Sequence, residues 1–469
     1  MPITHPALGQ FEASLRATPD PVAALKEGLI GRDTVFEGAY GPRKLIYADY
    51  VASGRPLRQV EEFVMQHVLP YYANSHTEQS FCGATMTGMR ETSRAVIAEK
   101  CGANLTDHAV IFSGSGATSG LNQLVHLLGL RDAVVAGQKA FVLHGPYEHH
   151  SNLLPWRESG AEVIEIAEAE TGGVDLDHLG RELTRLSGQG LVICAFSAAA
   201  NVTGVLTEVA PATQLANQHG ARIVWDYAGG GPYLPMSMAL DNGAQIDAIV
   251  TSPHKFIGGP AASGLLILRR DAVATTTPAR PGGGTVAFVN AKSHDYVTRI
   301  EQREEGGTPN IIGDIRAALA MIVKDVIGQD FITVRKAELT QRAMTAWADN
   351  PNVDLLAPTR SNRLPILSFV PRDDAGQRLD YEAYTRGLSD HFGIQARGGC
   401  SCAGPYVHRL MAIGEAWSNQ IRADILSGDT KSKPGFVRLN FSVLMDDETV
   451  DFILKSIPDL ASGTRAQAA

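Results

Sequence analysis

Short apolar runs recur along much of the chain, at 109–112, 140–143, 163–166, 191–196, 223–225, 248–250 and 265–268. They are built mostly from Val, Ile, Leu, Phe and Ala with almost no polar interruption. Each reads as a strand buried on both faces rather than one alternating between core and solvent. Stretches with helical spacing of apolar residues lie between most of them, for example 120–128 and 174–186. Such alternation predicts a mainly parallel sheet covered on both sides. Ligands of such sheets bind at the carboxyl ends of the strands. Most of the polar clusters described below stand at such ends.

The flanks read differently. Residues 1–44 are mixed, with short helices expected at 11–15 and 22–29, and Asp20-Pro21 marking a helix start. A long helical region at 312–349 is expected to cross to a second unit. An apolar strand at 364–370, a helix at 381–391, a Gly-rich loop at 397–405 and a strand at 435–441 follow. These read as a smaller α+β domain. The expected division is a large domain at 45–320 and a small one from 1–44 and 321–469. The polar stretch 417–433 reads as a surface insertion, and 461–469 as a frayed tail.

Composition narrows the class. The 469 residues are 44% hydrophobic and 19% charged, a globular balance. A net charge of −9 argues against nucleic acid or an anionic membrane as principal partner. No apolar run is long enough to cross a bilayer, and residues 1–10 lack a secretory pattern. The cysteines stand at 82, 101, 194, 400 and 402, an odd count that fits reduced thiols in a cytoplasm.

Chemistry concentrates first at Lys255. The run 248–250 breaks into Thr251-Ser252-Pro253-His254-Lys255 before the next strand. A lysine on a turn between buried strands is partly desolvated, which lowers its pKa and makes the amine nucleophilic. Upstream, Ile223-Val224-Trp225 ends in Asp226. A strand-end lysine and a strand-end aspartate are what pyridoxal phosphate (PLP) requires. The lysine forms the Schiff base, and the aspartate keeps the pyridine nitrogen protonated.

Three other segments fit that reading. Ser113-Gly114-Ser115-Gly116-Ala117-Thr118-Ser119-Gly120 joins a strand to a helix, where backbone N–H groups can close on an anion. It has neither dinucleotide nor P-loop spacing, so a monophosphate fits better; an ordinary Gly-rich turn is the plain alternative. Ser252 and His254 could complete that cradle. His149, within Tyr147-Glu148-His149-His150-Ser151-Asn152, can lie over a pyridine ring and carry protons. A surface His pair is the plain alternative, and a metal site lacks matching ligands. Finally, Arg397-Gly398-Gly399-Cys400-Ser401-Cys402-Ala403-Gly404-Pro405 offers exposed thiols beside a cation that favours thiolate. A redox pair, a metal fragment or a plain turn remain open there. Arg438 is a lone cation in an apolar strand, suited to gripping a carboxylate with two parallel bonds or to a structural salt bridge.

In this order the segments resemble the class V aminotransferase superfamily, and within it the cysteine desulfurase and selenocysteine lyase family, over about 46–460. The resemblance implies a fold-type I PLP-dependent transferase: an α/β large domain with a mainly parallel seven-stranded sheet, plus a smaller α+β domain. It makes His149 the stacking residue, and it assigns Asn201 of Asn201-Val202-Thr203-Gly204 to the ring hydroxyl. Asp226 pairs with the ring nitrogen, and Ala117, Thr118, Ser252 and His254 hold phosphate. Thr308 of Gly307-Thr308-Pro309-Asn310 reaches the neighbour's phosphate across a homodimer. Arg397 and Arg438 bind substrate, and Cys402 carries a persulfide. The chain departs from the family where Gly229 replaces a glutamine, Ala117 a threonine and Ser119 an acid, and where Cys400 adds a thiol. The implied activity is removal of sulfur or selenium from an L-cysteine-type amino acid, with a sulfur-acceptor protein as a further partner. The alternatives are an aminotransferase, lyase or epimerase of the same superfamily. No metal is expected.

Overall fold

All seven apolar runs become strands of one sheet in the computed structural model, which describes residues 5–75, 77–399, 401–429 and 433–463. The strands are β1 (His108–Gly114), β2 (Ala140–His144), β3 (Glu162–Glu165), β4 (Leu191–Ser197), β5 (Arg222–Asp226), β6 (Ala248–Thr251) and β7 (Gly264–Arg269). Their spatial order is β1-β7-β6-β5-β4-β2-β3. Only β7 runs antiparallel to its neighbours, β1 and β6. Successive residues serve opposite faces. Val110, Phe112, Ile223, Trp225 and Ile267 join one apolar cluster, while Ala109, Ile111, Val224 and Leu266 join another. Both sides of the sheet are therefore dry, which is why the runs show no polar alternation.

The covering helices follow from the same pattern. The helices α1 (Ala7–Arg16), α2 (Pro21–Glu27), α3 (Phe81–Lys100) and α5 (Ile311–Ile327) contribute Phe11, Leu25, Met86 and Ile315 to the first cluster. On the other face, α4 (Gly116–Leu127) brings Leu121 and Leu124. The Asp20 start signal is realised: its carboxylate accepts from the Ala23 N–H at 2.9 Å, capping α2. The single helical region expected at 312–349 is two helices. Gly328, at φ +87°, separates α5 from α6 (Gln329–Trp347), because glycine alone enters that conformation without strain. The apolar spacing continues through the break, so periodicity hid it.

The second unit is a four-stranded antiparallel sheet. Its strands are β8 (Val353–Leu355), β9 (Ile366–Pro371), β10 (Arg397–Gly399) and β11 (Phe436–Asn440), in the order β8-β9-β11-β10. Helices α6, α7 (Tyr381–Phe392) and α10 (Asp447–Ala461) close one core around Trp347, Phe369, Leu388 and Ile453; α8 (Gly404–Leu410) and α9 (Glu415–Leu426) lie between β10 and β11. Two expectations change. The first part of the Gly-rich 397–405 loop is strand β10, and Gly398 is required there because a Cβ would stand 2.8 Å from Thr385 Oγ1. The insertion expected at 417–433 contains most of α9, which buries Ile421 and leaves Trp417 and Leu426 exposed. Among the described residues no helix is long and apolar enough to cross a membrane.

Candidate active site

The strand ends bring the chemistry together. After β6, a tight turn at Pro253–Lys255 carries Lys255 into a cavity of about 300 Å³. Asp226, the last residue of β5, reaches the same cavity, as do His149, Asn201, Cys402 and Arg438. Burial lowers the Lys255 amine to about 8, outweighing the opposite pull of Asp226. Burial also raises the Asp226 carboxyl, which accepts the Ala228 N–H at 2.7 Å. A larger cavity of about 700 Å³ opens beside α3. Its main charges already pair with one another, as Arg90–Glu305, Arg299–Glu91 and Arg270–Glu301, so little reactive chemistry is left in it.

The anion cradle forms where β1 turns into α4. Gly116, at φ +61°, lies so close to Ser252 and His254 that a Cβ would stand 2.9 Å from Ser252 Oγ. The Ala117 N–H donates to Ser252 Oγ at 2.9 Å, joining the two segments expected to share a phosphate. Thr118 Oγ1 and Ser151 Oγ are 2.7 Å apart. Ser119 instead accepts the Ser115 N–H at 3.1 Å and so braces the turn. Burial holds His254 at about 4, neutral at physiological pH.

His149 is also neutral, lowered to about 4 by burial and then by Lys255. Its Nδ1 accepts the Ser151 N–H at 3.1 Å, which leaves Nε2 to carry the proton. The residues behind it belong to the same sequence motif but were given no role of their own from sequence. Glu148 is buried and accepts from Ser197 N at 2.9 Å, Ser197 Oγ at 2.5 Å and Asn152 Nδ2 at 2.6 Å. Asn152 in turn accepts from Trp156 Nε1 at 3.0 Å. Burial pushes Glu148 up to about 7. The four-residue spacing of Glu148, Asn152 and Trp156 was the available signal.

The cysteine loop is held rather than loose. Ser401 and Cys402 both have positive φ, +50° and +54°. Asn201 Nδ2 donates to Ser401 O at 2.7 Å, and His150 N to Cys402 O at 2.9 Å. The Gly404 N–H donates to His150 Nε2 at 3.0 Å. Cys402 is exposed and lines the cavity, while Cys101 and Cys194 are buried, their thiols pushed up by burial. Cys400 lies outside the described residues.

Arg397 and Arg438 also border the cavity, and both contact Asp49, a residue sequence reasoning missed. Thr308 is exposed and does not line this chain's own cavity. Gly229 does, and a Cβ there would meet nothing closer than Ala199 O at 3.6 Å, so room exists where the family carries a glutamine.

The residues suit PLP. Asn201 Oδ1 is buried with no hydrogen-bond partner among the described residues, as is Ser401 Oγ. Buried Asp226, which has no ion pair among the described residues, and a glycine cradle complete the fit. Fold and site together place the chain among the fold-type I α/β enzymes. Residues 46–453 match the family described as aminotransferase class-V, and the chain belongs to this PLP-dependent family. It is 26% identical over 372 residues to a probable cysteine desulfurase of Streptomyces coelicolor, covering 77% of this chain and 84% of that protein. A probable cysteine desulfurase of Pyrococcus abyssi is 28% identical over 383 residues, covering 79% and 88%. The apo cysteine desulfurase of Thermococcus onnurineus superposes with a TM-score of 0.73 at 25% identity, covering 89% of this chain and 95% of its own.

Proposed function

We propose that this chain removes sulfur, or selenium, from L-cysteine-type amino acids through a persulfide on Cys402. The observation that carries the reading is an exposed thiol lining the same cavity as Lys255, Asp226 and Arg438. Lys255 would hold PLP, with Asp226 at the ring nitrogen, His149 against the ring and Asn201 at the ring hydroxyl. Ala117, Thr118, Ser252 and His254 would receive the phosphate. Bound PLP supplies an electron sink for negative charge at the substrate's Cα.

Arg438, with Arg397 beside it, binds the substrate carboxylate. The Lys255 amine, poised near 8, removes and returns protons as a general base. The Cys402 thiolate attacks the substrate sulfur. An S–S bond forms and the substrate's C–S bond breaks. The electron pair stays on the carbon fragment, which takes up a proton and leaves as alanine. The outer sulfur is then available to a thiol on an acceptor protein. With a dithiol present to reduce the persulfide and free its outer sulfur as sulfide, Cys402→Ser should abolish sulfide release while the protein keeps its cofactor absorbance; undiminished release would reject the persulfide. Gly229 favours a second reading, a transaminase, β-eliminating lyase or epimerase. Products separate the readings: alanine for a desulfurase, pyruvate and ammonia for a lyase, an aminated acceptor for a transaminase and the D-amino acid for an epimerase.

A further inference from the structure

Arg397 of β10 and Arg438 of β11 are direct partners across neighbouring strands. Like charges in that position repel. The conflict is sharper because Arg438 is only 3% exposed, and a buried cation needs a partner. Asp49 resolves it. Its Oδ1 accepts from Arg438 Nη2 at 3.0 Å and its Oδ2 from Arg397 Nε at 2.9 Å. The carboxylate comes from outside the small sheet's own strands, on a segment anchored beside them. Ile46–Tyr47 pairs in parallel with Ile394–Gln395. The Asn440 N–H donates to Ala48 O at 2.8 Å, and the Val51 N–H donates to Asn440 Oδ1 at 2.9 Å. Asp49 is thus held between two guanidiniums, both of which line the cavity.

The charge count of the trio is two cations and one anion, leaving one net positive charge. Arg438 also donates through Nη1 to Asn201 O at 3.1 Å, so part of its fork is committed inside the protein. The Nη groups of Arg397 have no partner among the described residues, and its side chain is 48% exposed. A single incoming carboxylate would neutralise the trio. A second acid group would find no uncompensated cation left in the trio and would be repelled by the Asp49 charge behind it.

We propose that Asp49 is a specificity-determining residue that trims the arginine pair to accept amino acids with one carboxylate and to exclude dicarboxylic ones. This rests on the reading of Arg397 and Arg438 as the substrate-carboxylate grip. The test is equilibrium binding to the PLP-loaded enzyme of propionate and succinate, neither of which carries an amine or a sulfur. Binding is followed by the saturable change in cofactor absorbance. The wild-type protein should bind propionate at least as tightly as succinate. Asp49→Asn keeps the side chain's size and should tighten succinate about tenfold more than propionate, since one opposing charge is gone. A wild-type preference for succinate overturns the proposal, and that measurement needs no variant to fold. An unchanged ratio in a folded Asp49→Asn protein overturns it equally. Sulfur chemistry plays no part in this binding, so the persulfide reading and the charge-trimming reading can fail separately.

Discussion

Lys255 shows how one side chain acquires reactivity from its surroundings. Its amine is carried into a cavity where burial opposes protonation, and the nearby guanidiniums of Arg438 and Arg397 push the same way. On the proposed reading the free amine is the nucleophile, so its fraction sets the rate of aldehyde capture. Capture of PLP by the apoprotein should rise about tenfold per pH unit below 8 and level off above it. An ordinary lysine would keep rising towards 10.5; stopped-flow absorbance across pH distinguishes the two. Lys255, Asp226 and Cys402 were singled out from sequence by their own chemistry and immediate neighbours, and the structure brings all three to one cavity. Asp49 and Glu148 were not so singled out. Asp49 gains its meaning from Arg438, which lies 389 positions away, and Glu148 from Ser197, which lies 49 away.

At the scale of elements, the cysteine loop depends on the histidine turn. His149 and His150 read as a pair in sequence, yet they serve different neighbours. His149 lines the cavity, while His150 accepts the Gly404 N–H and ties the loop down. His150→Ala removes that acceptor but keeps the backbone bond to Cys402. Alkylation of Cys402 by iodoacetamide should then become about fivefold faster, the equivalent of one ordinary hydrogen bond. An unchanged rate would mean the loop needs no such tie. The seven strands of the large sheet were legible because double-sided burial leaves an unbroken apolar run. The break at Gly328 and helix α9 were not. The first lies within continuous apolar spacing, and the second buries too little apolar surface to show a stripe.

For the whole molecule, the family resemblance implies a pair of chains, and the surface is consistent with one. Met65, Tyr72 and Phe81 are exposed apolar residues, with Phe81 at 72%. The loop bearing Thr308 follows Glu305, which is locked between Arg90 and Arg94 in a buried ion network. A rigid base under an exposed loop suits a group that serves a neighbour's site. Sedimentation should show a particle of twice the chain mass. Thr308→Ala should leave that mass unchanged and weaken PLP binding about tenfold, the loss of one bond to a charged group. A monomer in solution would remove the basis for Thr308's role.

Local chemistry along the chain was enough to announce the strands, the lysine turn, the small-residue cradle and the thiol of the Gly-rich loop, because each depends on residues close in sequence. The pairing of the two arginines, the aspartate between them and the strap on the cysteine loop belong to the folded molecule. They arise from contacts between segments far apart in the chain, 254 positions for the strap and 389 for the aspartate, and no pattern in a linear chain records which distant charges a sheet will set side by side.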